Sequence, residues 1–76
     1  MSKVLTVLSQ IRPEFDFTQS ADFFEDGLLD SFDLVTLVSE LDKTYGISID
    51  GMDIVPDNFN NVAAIENLLA RNGVTP

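Results

Sequence analysis

Three residues near the middle of the chain combine groups that could do chemistry: Asp30, Ser31 and Asp33. A hydroxyl between two carboxylates suggests either a nucleophile with acidic neighbours or a helix start with one oxygen to spare. Asp30 and Ser31 are both first-choice helix caps, and one cap is enough. With Asp30 as the cap, Asp33 stands where an acidic residue reaches back to complete a capping box. Ser31 then takes the first helical position, and its hydroxyl is not needed to satisfy the backbone. It lies beside the positive end of the helix dipole, where an attached phosphate is favoured. The spacing is equally compatible with Ser31 as the cap and Asp30 in the loop.

A catalytic serine needs a base to activate it, and the chain has no His. Neither Lys3 nor Lys43 is placed in sequence to suggest a Ser–Lys pair. Seventy-six residues also leave little room for an enzyme-sized pocket. Ser31 is therefore expected to be acted upon, and no enzymatic activity is expected of the chain.

Residues that position this group follow from periodicity. Setting Leu34 at zero on a helical wheel, Leu37, Val38, Leu41 and Tyr45 fall within roughly 60° of it. This core stripe defines a helix from about Ser31 to Tyr45, with Gly46 as its stop. Phe32 projects about 160° from the stripe and Val35 roughly at a right angle, which predicts an apolar patch beside Ser31. The other arrangement open to Phe32 folds it back under the preceding loop.

Upstream, Val4, Leu5, Val7, Leu8 and Ile11 form a first helix, with Ser2 as cap and Pro13 as terminator. A connection follows from Pro13 to about Asp30, to be pinned by Phe15, Phe17, Phe23, Phe24, Leu28 and Leu29. Downstream, residues 47–49 read as extended and residues 50–55 as one short helical turn. A last helix starts near Asn60 or Asn61, turns Val62, Ile65, Leu68 and Leu69 inward and closes at Gly73. The expectation is an all-α four-helix bundle, three longer helices plus a short one, forming one domain over residues 1–76.

A formal charge of −9 with only four basic residues argues against nucleic acid as a partner. No Lys or Arg occurs from Glu14 to Asp42, so basic patches on proteins are the natural complement. The chain has no Cys and no apolar run near the roughly 20 residues of a membrane span. Absence of a secretory signal pattern as well points to a cytoplasmic location without membrane insertion. An echo of a calcium-binding loop runs from Asp22 to Asp33. It places Phe24, which cannot ligate, at its third position and Asp33 where a bidentate Glu is wanted.

The stretch EDGLLDSFDLVTLVSEL, residues 25–41, resembles the attachment region of acyl carrier proteins and of aminoacyl and peptidyl carrier domains. The likeness extends over essentially the whole chain, down to the last helix beginning near FNNVAAI. It implies an acyl-carrier-protein-like fold and covalent 4′-phosphopantetheine, moved from coenzyme A onto Ser31 by a phosphopantetheinyl transferase. Asp30 and Phe32 would be motif positions that the transferase contacts. The arm's thiol would supply to a Cys-free protein the means to carry an acyl or aminoacyl thioester between partner enzymes. Fatty-acid-synthesis carriers commonly have Gly where Leu28 stands, and the GLLDSF wording looks closer to D-alanyl carriers and specialised free-standing carriers. That likeness implies a monomer loaded by an adenylating acyl or aminoacyl ligase and serving acyltransferases or other cargo-using enzymes. Phe32, Asp33, Val35, Ser39, Asp42, Ile54 and Val55 are the expected docking residues. The alternative is an acidic helical interaction module with no prosthetic group.

Overall fold

A computed structural model describes residues 3–76. Three α-helices are present among them: α1 (Val4–Ile11), α2 (Ser31–Tyr45) and α3 (Val62–Arg71). Single 3-10 turns occur at Phe17–Gln19, Gly51–Asp53 and Pro56–Asn58. The expected cap Ser2 lies outside the described residues, and Lys3 at the start of α1 makes no capping side-chain bond.

Each helix contributes an apolar stripe to one core. Val4, Val7 and Leu8 come from α1, Leu34, Leu37, Val38 and Leu41 from α2, and Ile65, Leu68 and Leu69 from α3. Helix α1 packs against both others. Tyr45 and Val62 are only half-buried and pack at the core's margin. Phe23 and Phe59, both fully buried, bring the non-helical connections into the same core.

The connection over residues 13–30 is anchored, as its aromatic content predicts. Phe17 and Phe23 are buried and meet edge to face, with ring centroids 5.0 Å apart at 85°. Leu29 is buried, and Phe24 and Leu28 pack partly against the core. Phe15 departs from expectation, since it is left exposed and anchors nothing. The connection is also bonded to the far end of the chain. Phe23 N donates to Asn60 O at 2.7 Å, and Asn60 Nδ2 donates to Asp22 Oδ2 at 3.3 Å.

The short helical turn expected over residues 50–55 is a single 3-10 turn at Gly51–Asp53, and a second 3-10 turn follows at Pro56–Asn58, so the described residues hold three α-helices and not a fourth. Pro56 can open a turn but has no N–H with which to continue one from upstream. Asp50 caps the first turn by accepting from Met52 N at 2.8 Å, and Asn58 Nδ2 donates to Asp53 O at 2.8 Å across the pair. Residues 47–49 form no strand. They are held by Asp42, whose carbonyl accepts from Ile47 N at 3.1 Å and whose carboxylate accepts from Ile49 N at 3.0 Å.

Helix α2 ends on Gly46 at φ 67°, the left-handed conformation that favours glycine. A Cβ added there would meet nothing within 4 Å, so the cost of a side chain is confined to the backbone. Gly46→Ala is expected to destabilise the fold by about 1–2 kcal/mol. A urea denaturation series checks this, and an unchanged midpoint would show that α2 can end without the left-handed residue.

Candidate functional site

The site is the start of α2, and its local geometry follows from three consecutive sequence choices. Asp30 is extended at φ −125° and ψ −172°, which ends the loop and turns its carboxylate over the first helical turn. Its Oδ1 accepts from Asp33 N at 2.9 Å. Asp33 Oδ2 accepts in return from Asp30 N at 3.1 Å, closing the reciprocal box. Ser31 follows as the first residue of the helix and is exposed. With the terminal N–H groups served by Asp30, the Ser31 hydroxyl makes no hydrogen bond to any described residue. Of the two arrangements compatible with the spacing, Asp30 as cap is the one found.

The box is tied to α1 by Arg12. Its Nε lies 3.1 Å and 3.0 Å from the two Asp33 oxygens, and its Nη2 lies 2.9 Å from Oδ2. Weaker contacts reach Asp30 Oδ2 at 3.8 Å and Glu14 Oε2 at 3.5 Å. Arg12 follows the last residue of α1 at φ −133° and ψ 78°, away from helical dihedrals. Pro13 accounts for that geometry, because proline's ring disfavours a helical residue before it. The terminator of one helix thus frees the side chain that holds the start of the next.

Two of the expected docking residues, Asp33 and Asp42, have partners within the fold. Asp33 is buried at 8% exposure, and its carboxylate is occupied by Arg12 and the Asp30 N–H, so it belongs to the frame and not to the surface. Asp42 is half-buried and holds the Ile49 N–H, again an internal duty. Phe32 and Val35 are outward, at 85% and 66% exposure, and Phe32 does not fold under the loop. Ser39 and Val55 are exposed, while Ile54 is half-buried against the core. Sequence reading missed Met52, which is 88% exposed at the first 3-10 turn after α2. A methionine directly after a glycine in a turn was its available signal. It also missed Arg12. A cation just before a proline, at the head of a long stretch without Lys or Arg, was the clue.

Electrostatically, Asp30 is set up to remain ionised. The hydrogen bond from the Asp33 N–H is the main cause that holds its carboxyl below the ordinary 3.8. Partial desolvation opposes this, while the Phe32 N–H and Arg12 add to it. Among the described residues, no group of three or more His, Cys, Asp or Glu side chains is arranged to hold a metal ion. Asp22, first residue of the calcium-loop echo, is engaged with the Phe24 and Glu25 N–H groups at 3.0 Å each.

The family described as phosphopantetheine attachment site matches the chain over residues 2–69. No curated protein and no solved structure matches it. The chain belongs to that family, which makes it a carrier protein of the acyl carrier protein family with covalently attached 4′-phosphopantetheine. It is a non-catalytic carrier that works with a phosphopantetheinyl transferase and with cargo-using enzymes. The helical fold is consistent with that membership. The start of α2 fits the group: an exposed hydroxyl, unspent on the backbone, at a helix N-terminus that favours phosphate.

Asp30 has a folded-state pKa below its unfolded value, so its contribution to stability is fully present above about pH 4. It is lost as pH falls through the lower, folded value. Carbon-detected NMR titration of the Asp30 carboxyl is expected to give a midpoint below that of the urea-unfolded chain. Equal midpoints would mean that the box does not hold the charge.

Proposed function

We propose that Ser31 is the attachment residue, and that residues 1–76 act as one carrier unit taking an acyl or aminoacyl group between enzymes. The observation that carries this reading is an exposed Ser31, its hydroxyl bonded to no described residue, next to a capping box completed by Asp30 and Asp33. When bound, the group supplies a long arm ending in a thiol, on which cargo rides as a thioester at high effective concentration near partner sites. The chain's own residues present the serine, keep its backbone rigid and offer a surface to the enzymes that load and unload it.

Asp30 caps the helix and leaves its Oδ2 free of the backbone, beside Ser31, as a negative contact for the transferase. Phe32 and Val35, with Val55 and the edge of Ile54, form the apolar part of the docking surface, and Ser39 extends it along α2. Exposed aromatic side chains surrounded by acid suit partners with a basic rim and an apolar centre. The cargo chemistry follows the likeness to D-alanyl carriers. An adenylating ligase loads a small acyl or aminoacyl group, in a specialised pathway and in the cytoplasm, onto a monomeric carrier. Lys43 supports a pathway apart from fatty acid synthesis, since it puts a positive charge, 3.8 Å from Glu40, where those carriers tend to be acidic.

Incubation with coenzyme A and a broad-specificity phosphopantetheinyl transferase is expected to add one phosphopantetheine per chain, read by mass spectrometry. Ser31→Ala is expected to take up none. Uptake by the Ser31→Ala chain would move the attachment elsewhere, and an unmodified wild-type chain would favour an interaction module without a prosthetic group. Phe32→Ser should change stability by less than about 0.5 kcal/mol, since the ring touches little, while slowing transfer. Unfolding and transfer rates measured on the same sample check both halves.

A further inference from the structure

Arg12, the residue after α1, brings a charged side chain against the first turn of α2. Its guanidinium presents Nε and Nη2 as a fork to Asp33, with three contacts between 2.9 Å and 3.1 Å. The acceptor is no ordinary surface carboxylate. Asp33 Oδ2 also accepts from Asp30 N, so one oxygen joins Arg12 to the Leu29–Asp30 peptide, one residue before Ser31. Asp33 Oδ1 faces the same fork, and Asp33 N returns a bond to Asp30 Oδ1. Rotating the Asp33 side chain would break the bond to Asp30 N and the clamp together.

A carboxylate at 8% exposure is strongly disfavoured without a partner. No other Lys or Arg occurs in the stretch from Pro13 to Asp42, so nothing on α2's own approach could replace Arg12. Deprived of it, Asp33 is driven to turn toward water, and the Asp30 N–H, in the Leu29–Asp30 peptide, loses the bond that fixes it. Ser31 is the next residue along the chain. The placement of its oxygen therefore depends, two contacts away, on a residue nineteen positions earlier.

We propose that Arg12 is a positioning residue for pantetheinylation, acting through Asp33 and the Asp30 backbone to fix where the Ser31 hydroxyl points. This rests on Ser31 being the attachment residue. In the transfer an Oγ–P bond replaces the Ser31 Oγ–H bond, and the bond from that phosphorus to the adenosine bisphosphate half of coenzyme A breaks. The proton leaves with the transferase's base. A misdirected oxygen slows this in-line step without weakening the encounter, because Arg12's short contacts are to Asp33 and the apolar docking residues Phe32 and Val35 stay exposed.

The test is steady-state transfer from coenzyme A, with carrier concentration varied, on wild type, Arg12→Gln, Arg12→Lys and Ile65→Val. All four are assayed below their melting transitions. Arg12→Gln is expected to lower kcat about tenfold with KM for the carrier unchanged. Arg12→Lys, which keeps the charge and loses the fork, should not restore it. Ile65→Val, a mild core truncation far from the box in sequence, should transfer at the wild-type rate despite reduced stability. Wild-type kcat in Arg12→Gln, full rescue by lysine, a rise in KM alone, or an equal loss in Ile65→Val would each overturn the role of Arg12. Failure of the attachment reading has a different signature, a wild-type chain that takes up no phosphopantetheine at all.

Discussion

The carboxylate of Asp33 is the constraint through which the start of α2 is held. It is buried, ionisable and bonded on two sides, to the Arg12 fork and to the Asp30 N–H. An ion pair of this kind is weak evidence for net stability, since desolvating two charges offsets much of their attraction. Its value lies in specification. An apolar residue at position 33 could pack, but it could neither accept from the Asp30 N–H nor orient α2 against the end of α1. The fold gives up an apolar contact at the first turn and gains a fixed helix start, with Ser31 at its rim.

That trade explains the division of labour among the acidic residues. Asp16, Asp22, Asp30, Asp33, Asp42 and Asp50 each accept a backbone N–H at a turn or helix end. Much of the negative charge is thus structural. In a chain with no disulfide and limited core, loops are secured by short side-chain bonds to backbone, which need no extra apolar volume. The acidic field follows from that solution, and a basic partner surface can exploit it.

The helices were legible because each has a stripe of apolar residues at helical spacing and a recognisable end: Asp30 and Gly46 for α2, Asn61 and Gly73 for α3. The capping box was legible for the same reason, since its two carboxylates are three residues apart. The short turn after α2 was legible from Asp50 as its cap, while the separate turn at Pro56–Asn58 was not read because proline marked only the end of the first. The inward fate of Asp33 and Asp42 was hidden for a different reason. Helical spacing places them off the centre of the core stripe, and only tertiary contacts from Arg12 and Ile49 turn them inward. Phe15 failed as an anchor because aromatic composition alone does not say which rings of a loop face the core. For Arg12 the sequence offered only its place before Pro13 and an acidic stretch, because its partner is 21 residues away.

A carrier must satisfy two demands that pull against each other. The attachment oxygen has to be accessible to an enzyme, and yet a helix start exposes N–H groups that compete for any nearby oxygen. A serine cap would meet the second demand at the expense of the first, since its hydroxyl would be turned back onto its own backbone. Placing Asp30 one residue earlier answers the N–H groups with a better acceptor and leaves Ser31 unspent. The same carboxylate stays ionised and lies next to the hydroxyl it relieves, so capping and presentation are one act. Such a division works only while the helix start keeps its register, because a one-residue slip would return Ser31 to the capping position. Holding the register falls to the Asp33 carboxylate, which is bonded both to Arg12, just after α1, and to the Asp30 backbone.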